Sequence, residues 1–581
     1  MMKPEVFEEF NFWYREQVDS DQVFNFKEDI IKYCSNNVEI LASCCLAFRS
    51  KFLTLNGLDP FTRCFTIAQV SLELLRALYL EPETLANTPK NGYTNLRKCS
   101  RESLAWLDFQ SRALNTKVIR EFKIGSKYAD GFSAELNTVF EYFGCYWHGC
   151  RQCFPVNRDS QQAFHGDTLN TRLSKTPDKL AYYRSHGYNI ISIWGCEARA
   201  QLSHDIEFKQ YFNERKKYWN KIDLHGHIVV KESFFGGRTN NIRFHHKCTS
   251  SQKIKYMDVN SLYPLVLKTK EYLIGHPIVI NENFDPTIKT YFGFVKCRIL
   301  PPTDLYLPIL PARIAKKLIF TLCRACAELE MTKCIHNEHN RSLLGTWTTP
   351  ELQFALAHGY RVLDFIEVLH YPRSSSSIFK GYIDKILKLK HEASEVKIRE
   401  GIELNPENMI KNPAMRFISK LLLNSLWDSV IYFRDRTDRQ VECGDHLGQF
   451  KDEIIAEYGQ NAFIEEFVTC GPKNYAYRIR LLSGEVKTTI KTKGITLNRA
   501  SLKTIDYEFM LDAAKKYAAG ETQERSAKVP QFNILTDSHH NVLTKYFSKA
   551  YRVVSKKRIV KHNRTFPYGS MGDRTKYLNE T

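Results

Sequence analysis

Apolar residues recur at helical spacing through residues 24–85. The spacing is clearest in FKEDIIKYCSNNVEILASCCLAFRSKFLTL and in FTIAQVSLELLRALYL, where apolar positions lie three and four residues apart. From about residue 118 the pattern changes to short strand-like runs, VIREFKI, FSAELNTVFEYFGCYW and NIISIWGC, with the helix-compatible stretch LNTRLSKTPDKLAYYRSHGY between them. Strands that alternate with a helix predict an α/β region in the middle of the chain.

A third region begins near residue 228 with VVKESFFGGRTNNIRF. It continues through KIKYMDVNSLYPLVLK, where alternating apolar residues end at an acidic turn. Helices and strands mix beyond it, and the sequence shows no internal repeat. The chain has 581 residues, which is enough for several domains, since one domain usually takes about 100–200 residues. The pattern therefore predicts a multidomain protein that combines α+β and α/β parts.

The charge balance changes this picture by indicating a partner. The sequence has 83 Lys and Arg against 64 Asp and Glu, a net charge of +19. Such an excess favours a polyanion, and nucleic acid is the first candidate. Residues 551–565 contain no acid; such a run is usually a solvated face but can also follow a phosphate backbone. Its cations are Arg552, Lys556, Lys557, Arg558, Lys561 and Arg564.

Hydropathy indicates where such a protein would work. No apolar run approaches the roughly 18 residues that span a bilayer. The first residues, MMKPEVFEEFNFWYREQ, lack the basic and then apolar order of a signal peptide. We therefore expect an intracellular protein, in the nucleus or another compartment that contains DNA, with no membrane partner.

Two short motifs carry candidate chemistry. Asp258 ends a predicted strand and is followed by a tight turn, an arrangement that can hold Mg²⁺ and direct backbone N–H groups at a triphosphate. Tyr263 in the same motif could close over a ribose. Arg416, Lys420 and Asn424 recur four residues apart, so one helix face would carry two cations and an amide. Such a face could bind a triphosphate.

With these motifs the sequence resembles the family B DNA polymerases, in particular the protein-primed branch carried by Polinton (Maverick) transposons and related viruses. DVNSLYP at residues 258–264 resembles motif A of that family, and KLLLNSLW at 420–427 resembles motif B. FFGG at 234–237, GPKNY at 471–475 and KGITLN at 493–498 resemble the Tyr-x-Gly-Gly element, the Lys-x-Tyr element and the turn that leads to the thumb.

The resemblance implies a function and a set of site residues. Asp258 would bind both catalytic Mg²⁺ ions, Tyr263 would stack under the sugar, and the helix face would hold the triphosphate through Arg416, Lys420 and Asn424. DNA contacts would come from Gly236, Gly237, Lys473 and Tyr475, and from the basic run through Lys556, Lys557 and Arg558. The implied partners are primer–template DNA, dNTPs and a terminal protein primer. The implied reaction is nucleotidyl transfer in DNA replication.

The sequence departs from the family after motif B. DSVIYF at residues 428–433 resembles the second half of motif C joined directly to the first half of motif B. We interpret this junction of Trp427 and Asp428 as an internal deletion that impairs activity. Asp428 would remain as a metal ligand, or it would only cap a turn after the helix.

A second departure lies near the N-terminus. YCSNN at residues 33–37 resembles the third proofreading-exonuclease motif, but Asn37 replaces its metal-binding Asp. An amide binds Mg²⁺ more weakly than a carboxylate, so we expect a helical exonuclease remnant without proofreading activity.

A first cysteine group lies in the α/β region. Cys145, Cys150 and Cys153 together with the distant Cys196 could form a closed tetrahedral Zn²⁺ site. The segment resembles the very-short-patch-repair endonuclease domain, which has a PD-(D/E)xK nuclease fold. That resemblance implies Asp130 and Glu141 as active-site acids and His148 as a general base. The alternative is a zinc-containing DNA-binding insert without nuclease activity.

A second cysteine group has the spacing of a zinc knuckle. It comprises Cys323, Cys326, Cys334 and His336, with His339 as an alternative fourth ligand. Buried free thiols within a helix, LIFTLCRACAELE, are the other interpretation. We therefore expect one or two structural Zn²⁺ ions in addition to two catalytic Mg²⁺ ions.

These observations define an expected domain order. Residues 1–90 would be the exonuclease remnant, 91–225 the PD-(D/E)xK-like zinc domain, 226–470 an incomplete palm and fingers with the knuckle near 323–339, and 471–581 a thumb-like basic region. The expected function is DNA-directed DNA polymerase. Two rival functions remain open: a metal-dependent endonuclease in residues 118–200, and a non-catalytic zinc-containing DNA-binding protein.

Overall fold

The computed structural model describes residues 4–20, 25–88, 93, 100–160, 166–395, 401–425, 444, 446–521, 526–561 and 563–571. The chain divides into two compact units. Unit 1 comprises Met1–Asn87, Val230–Ile278 and Asp285–Thr581, and unit 2 comprises Thr88–Val229 and Val279–Phe284. A mixed α+β, multidomain architecture is thereby confirmed, whereas the functional labels given above to the four predicted segments stay predictions.

Unit 1 begins with helices, as the spacing of apolar residues predicts. Asn25 caps the long second helix by accepting a hydrogen bond from the backbone N–H of Glu28, and Thr66 and Gln69 form a reciprocal capping box at the fourth. Leu74 and Leu75 on that fourth helix are buried. The four helices are α1 (Pro4–Asp19), α2 (Phe26–Asn56), α3 (Pro60–Arg63) and α4 (Ile67–Leu78).

Unit 2 has the predicted α/β pattern. Its elements are α5 (Arg101–Ala113), β1 (Ile119–Ile124), β2 (Lys127–Ser133), β3 (Thr138–Phe143), α6 (Leu169–Ser185), β4 (Asn189–Trp194), α7 (Gly195–His204) and α8 (Ile206–His225). The sheet order is β1-β2-β3-β4. The first two pairings are antiparallel, while β3 and β4 run parallel and need the crossover helix α6 between them. Every residue of β3 is buried.

The chain then returns to unit 1 with short strands and helices, apart from Val279–Phe284, which belong to unit 2. The next elements are β5 (His245–Lys247), β6 (Met257–Val259), α9 (Leu262–Thr269), β7 (Tyr272–Ile274), β8 (Ile278–Ile280), β9 (Gly293–Leu300), β10 (Pro311–Ile314), β11 (Lys317–Phe320), α10 (Arg324–Glu328), α11 (Glu338–Arg341), β12 (Leu343–Thr348), α12 (Thr349–Ala357), β13 (Arg361–His370) and β14 (Arg373–Ser375). Strand β9 pairs with β12 on one side and β13 on the other, both antiparallel.

The last part of unit 1 again combines helices and strands. They are α13 (Lys380–Glu392), α14 (Pro413–Ser425), β15 (Phe450–Asp452), α15 (Glu453–Tyr458), β16 (Phe463–Gly471), β17 (Asn474–Arg480), β18 (Val486–Lys491), α16 (Arg499–Leu502), α17 (Tyr507–Ala519), β19 (Ala527–Thr536), β20 (Val542–Tyr551), β21 (Ile559–Lys561) and β22 (Arg564–Phe566). Strands β18-β17-β16-β5 form one sheet, and β15 pairs with β6.

A shared apolar core fixes α14 in unit 1. Leu422 and Leu423 on α14 pack in one buried cluster with Leu74 of α4, Leu267 of α9 and Ile383 of α13. The first turn of α14 is capped by the Asn412 side chain, which accepts a hydrogen bond from the Met415 N–H at 2.9 Å. The core and the cap together set the position of the opposite, polar face of α14.

No helix in the part of the chain that the structure describes is long and apolar enough to cross a membrane.

Candidate functional site

A cavity of about 1040 Å³ in unit 1 brings together most residues of the two predicted motifs. Strand β6 places Asp258 at its rim, the start of α9 places Tyr263, and α14 contributes one helical face. The cavity is lined by Asp258, Val259, Asn260, Ser261, Leu262, Tyr263, Pro264, Lys390, Ala393, Ser394, Lys411, Pro413, Arg416, Phe417, Lys420, Leu423, Asn424, Lys451 and Glu453.

The turn after Asp258 is strained and well anchored. Ser261 has φ of 49° and ψ of 51°, a left-handed conformation that is costly for a residue with a side chain and often marks a functional site. Asn260 is held on both backbone sides, since its N–H donates to Gln449 O at 3.0 Å and its carbonyl accepts from the Gly448 N–H at 2.8 Å. The chain can therefore turn from β6 into α9 within two residues.

Helix α14 presents its polar face to this cavity. Arg416, Lys420 and Asn424 all line the cavity, as their four-residue spacing predicts, whereas Leu422 is 1% exposed and lies in the core. Tyr263 lines the cavity with 45% of its surface exposed. Both motifs therefore meet at one site.

Three lysines and one glutamate of this cavity were missed by the sequence analysis. Lys390 lies in the last turn of α13, Lys411 precedes α14, and Lys451 lies on β15 directly opposite Asp258 in the antiparallel register. Side chains in such directly opposed pairs have Cβ atoms about 4.5–5.5 Å apart. Glu453 begins α15. No local motif distinguishes these residues, because pairing between strands and helices distant in sequence brings them to the cavity.

The cavity is strongly cationic. Among the described residues that line it, five are Lys or Arg (Lys390, Lys411, Arg416, Lys420, Lys451) and two are acidic (Asp258, Glu453). Such an arrangement favours an anion with several negative charges, and a divalent cation at the acids would complete the balance. The other predicted metal ligand, Asp428, lies outside the described residues, as does the junction with Trp427.

The predicted DNA-binding residues do not line this cavity. A Cβ added to Gly236 or Gly237 would meet nothing within 4 Å, so a ligand backbone can approach there. Lys473 is at an exposed turn between β16 and β17. Tyr475 reaches the site indirectly, since its hydroxyl lies 3.1 Å from that of Tyr256, two residues before Asp258.

The basic C-terminal run requires one correction. Arg558 is 2% exposed, and its guanidinium donates to the backbone oxygens of Tyr306 at 3.0 Å and Thr565 at 3.2 Å. The predicted contact of Arg558 with phosphate is therefore wrong, because its guanidinium is buried and bonded to backbone oxygens inside the fold. Lys556 is exposed and Lys557 is half-buried, so both can still face a ligand.

Both cysteine groups converge as predicted. The ligand atoms of Cys145, Cys150, Cys153 and Cys196 all lie within 4.8 Å of one another, and so do those of Cys323, Cys326, Cys334 and His336. Thiolates and imidazole at such separations fit tetrahedral Zn²⁺. His336, rather than His339, belongs to the second group. The alternative of thiols within one long helix is wrong, because β11 ends at Phe320 and α10 begins only at Arg324.

The two acids predicted in unit 2 form a buried, interacting pair. Asp130 on β2 accepts a hydrogen bond from the Tyr142 N–H at 2.8 Å. Glu141 on β3 is 1% exposed and forms a 2.8 Å ion pair with Lys179 of α6. Its other carboxylate oxygen has no hydrogen-bond partner among the described residues. Burial and the charge of Asp130 raise the pKa of Glu141 to about 7, despite Lys179.

His148 lies in the same region of unit 2. Its Nδ1 is 3.4 Å from the hydroxyl of Thr176 on α6. Burial, with Lys179 and Arg172 nearby, lowers the pKa of His148 to about 4, so this ring is neutral at pH 7 and could accept a proton. Lys179 was missed by the sequence analysis, because it occurs in an ordinary polar helix.

The matches with known proteins include a family match that covers most of the residues that line the cavity of unit 1. Residues 181–429 match the family model described as DNA polymerase type B, organellar and viral. A probable DNA polymerase of Neurospora intermedia is 27% identical over 208 residues, which are 35% of this chain and 18% of that protein. A probable DNA polymerase of Podospora anserina is 26% identical over 202 residues, 34% of this chain and 13% of that protein.

Solved structures give weaker similarity. A crystal structure of Phi29 DNA polymerase covers 56% of this chain and 62% of that chain, with 15% identity and a TM-score of 0.35. Its ternary complex with primer–template DNA and incoming nucleotides covers 69% and 75%, with 13% identity and a TM-score of 0.32. The chain spans less than a fifth of the curated relatives that it matches. The expected resemblance to type B polymerases is confirmed over residues 181–429.

Removing one cysteine tests the first cluster. We expect native protein to contain about two zinc ions per chain, and Cys150→Ser to lose one and to destabilise unit 2, since structural zinc contributes directly to folding. Elemental analysis by mass spectrometry and thermal unfolding measure both effects. Cys297→Ser, at a buried thiol outside both clusters, is the control that should keep both ions. Metal near zero in the native protein would contradict both sites.

Removing one cation tests the cavity. We expect Lys420→Ala to weaken the binding of a Mg²⁺–dNTP about tenfold or more, because a hydrogen bond to a charged group contributes about 1.5–3 kcal/mol. Isothermal titration calorimetry measures the change. Lys51→Ala, on the exposed surface of α2, should bind like the parent. Equal affinity of the parent and both variants would show that the triphosphate does not lie on α14.

Proposed function

We propose that this chain is a DNA-directed DNA polymerase of type B, a nucleotidyltransferase that acts on primer–template DNA with dNTPs, and that an internal deletion at the junction of Trp427 and Asp428 impairs its activity. The observation that carries the proposal is the convergence of Asp258, Tyr263 and the cationic face of α14 on one cavity. The matching family model covers the same motifs through residue 429. The excess of positive charge supports DNA as the partner.

The cavity residues have distinct roles in this proposal. Arg416 and Lys420 bind the triphosphate, since both are donors on one face of a fixed helix. Tyr263 lies beneath the sugar and excludes a 2′-hydroxyl. Lys451 lies opposite Asp258 in the strand pairing and adds a positive charge on the same face of that pair. The protein groups thus orient the nucleotide relative to the carboxylate at the end of β6.

The residues present fit a divalent cation at Asp258. Its carboxylate is exposed at the cavity, and carboxylate oxygens are the ligands that Mg²⁺ prefers. Asp258 and Asp428 would hold the two metal ions. When bound, Mg²⁺ ions activate the primer 3′-hydroxyl and stabilise the leaving pyrophosphate.

Finer assignments complete the proposal. A terminal protein would supply the primer hydroxyl, as in the protein-primed branch of transposon and viral polymerases. Gly236, Gly237, Lys473, Tyr475, Lys556 and Lys557 would contact DNA. Residues 471–581 would act as a thumb, with the ribbon of β19 and β20 as its extended part. The protein would work where DNA is replicated, in the nucleus or another compartment that contains DNA.

Primer extension tests this function. We expect extension with Mg²⁺ and dNTPs to be absent or far below that of an intact relative, because Lys420 and Asp428 are only eight residues apart, about 12 Å if the helix continues. That short tether limits where the second carboxylate can lie relative to the helix. Inserting the missing motif C segment ahead of Asp428 should restore synthesis.

Asp258→Asn is the control for this experiment. In the restored chain it should abolish extension while DNA binding, measured by fluorescence anisotropy, persists. Robust extension by the chain as it stands, lost on Asp258→Asn, would show that the deletion argument is wrong and that another acid completes the site. Extension that survives Asp258→Asn in the restored chain would contradict the assignment of the cavity.

A second function is favoured by the acid pair of unit 2. We propose that Asp130 and Glu141 hold a divalent cation and that Lys179 stabilises negative charge on a phosphodiester, so that unit 2 cleaves DNA. The unpartnered oxygen of Glu141 and its raised pKa support a site that accepts a ligand. His148 would act as the general base. The non-catalytic alternative for unit 2 requires only the zinc cluster and the positive charge.

The pH dependence of stability tests the acid pair. Because the folded-state pKa of Glu141 is raised from 4.5 to about 7, the folded state binds more protons, and stability falls as pH rises through this window. We expect Glu141→Gln to be more stable than the parent at pH 8, by about 1–3 kcal/mol, and equal near pH 4. Chemical denaturation at both pH values measures the difference.

Metal titration completes this test. Glu141→Gln should also lose Mn²⁺ binding in unit 2, measured by electron paramagnetic resonance, and DNA cleavage without dNTPs. Glu214→Gln, at an exposed position of α8, is the matched control and should behave like the parent. A Glu141→Gln variant that binds Mn²⁺ and cleaves DNA like the parent would overturn the assignment of Glu141. A parent chain that neither binds Mn²⁺ in unit 2 nor cleaves DNA would leave unit 2 with the non-catalytic role.

A further inference from the structure

The second cysteine cluster lies against the C-terminal end of the described chain. Cys323 and Cys326 are both 0% exposed and belong to one buried cluster with Ile559, Phe566 and Tyr568. More than two hundred residues of sequence separate the two segments. The packing therefore joins the knuckle to strands β21 and β22, which form the C-terminal part of the basic run.

Backbone hydrogen bonds connect the same two segments. The Leu322 N–H, next to the first cysteine ligand, donates to Tyr568 O at 2.9 Å, and the Thr321 hydroxyl donates to the same oxygen at 3.0 Å. The Met571 N–H donates to Thr303 O at 2.9 Å. The C-terminal segment is thus bound to the turn that presents the cysteines.

The two backbones approach too closely for a side chain. A Cβ on Gly569, where φ is +85°, would lie 2.3 Å from the Cβ of Cys323 and 2.6 Å from its backbone nitrogen. Only glycine fits at this separation. The position of Cys323 and the position of Gly569 are therefore mutually dependent.

The cluster has the geometry of a metal site. His336 Nδ1 lies 3.6 Å from the sulfur of Cys323, 3.3 Å from that of Cys326 and 3.9 Å from that of Cys334. A tetrahedron with bonds of 2.0–2.3 Å places its ligand atoms about 3.5–3.8 Å apart. Cys334 is partly buried and packs against the same apolar cluster, and a bound ion would link Cys334 and His336 directly to the buried Cys323 and Cys326.

We propose that a metal ion in the second cluster is a clasp that holds residues 559–571 on the body of unit 1. The metal fixes the turn at Cys323, and Tyr568 and Gly569 pack against this turn. Loss of the metal releases the segment and with it the neighbouring side chains Lys556 and Lys557. The expected consequence for DNA affinity rests on the proposed polymerase function, whereas the clasp itself does not.

Hydrogen–deuterium exchange of the full chain tests the clasp without DNA. We expect Cys334→Ser to lose one zinc ion and to exchange the amides of Leu322 and Met571 at least tenfold faster. Cys153→Ser, an equivalent change in the first cluster, should lose one zinc ion and leave these amides protected. Both variants are checked by elemental analysis. Unchanged protection in zinc-depleted Cys334→Ser, or equal loss in both variants, would overturn the clasp.

A reciprocal experiment changes the C-terminal segment instead of a metal ligand. By linkage, displacing the C-terminal segment must weaken metal binding. Gly569→Ala should lower zinc affinity at least tenfold in competition with a chromogenic chelator. Gly484→Ala has nearly the same backbone strain, with φ of +86° but nothing within 4 Å of its Cβ, and should keep the parent affinity. Equal zinc affinity in the two glycine variants would overturn the proposal.

Discussion

The candidate site depends on the packing of one helix. Helix α14 buries Leu422 and Leu423 against α4, α9 and α13, and full burial of one such side chain contributes about 1.5–3 kcal/mol. Two hydrogen bonds also fix the position of α14, because the hydroxyls of Ser71 and Tyr382 both donate to Leu422 O. Leu422 faces this core, Leu423 lies between the core and the cavity, and Arg416 and Lys420 face the cavity.

Pairing of two short strands supplies the second half of the site. Strand β15 adds to β6 in antiparallel register, so Lys451 lies beside Asp258 and the segment 446–449 holds the turn at Asn260. The left-handed Ser261 then lets α9 begin at once and bring Tyr263 to the cavity. Three different interactions thus hold a carboxylate, an aromatic ring and a cationic helix face around one cavity.

Sequence patterns predicted those features that depend on residues close together in the sequence. Apolar spacing predicted α2 and α4, the four-residue spacing of Arg416, Lys420 and Asn424 predicted one face of α14, and cysteine spacing predicted both clusters. Helix periodicity and, apart from Cys196, metal-ligand spacing involve neighbouring residues. Lys451, Lys390 and Lys179 were missed because strand pairing and helix crossing bring them to their sites from distant segments. Arg558 was misassigned for a related reason: a charge run does not reveal which of its members turns inward to bond Tyr306 and Thr565.

The central claim is that the cavity between β6 and α14 binds the incoming nucleotide. The most direct measurement is a crystal structure of the chain with primer–template DNA, Ca²⁺ and the complementary dNTP. The account predicts density for the triphosphate within hydrogen-bonding distance of Arg416 and Lys420, a cation at Asp258 and the sugar against Tyr263. A nucleotide bound elsewhere, with the cavity occupied only by solvent, would contradict it.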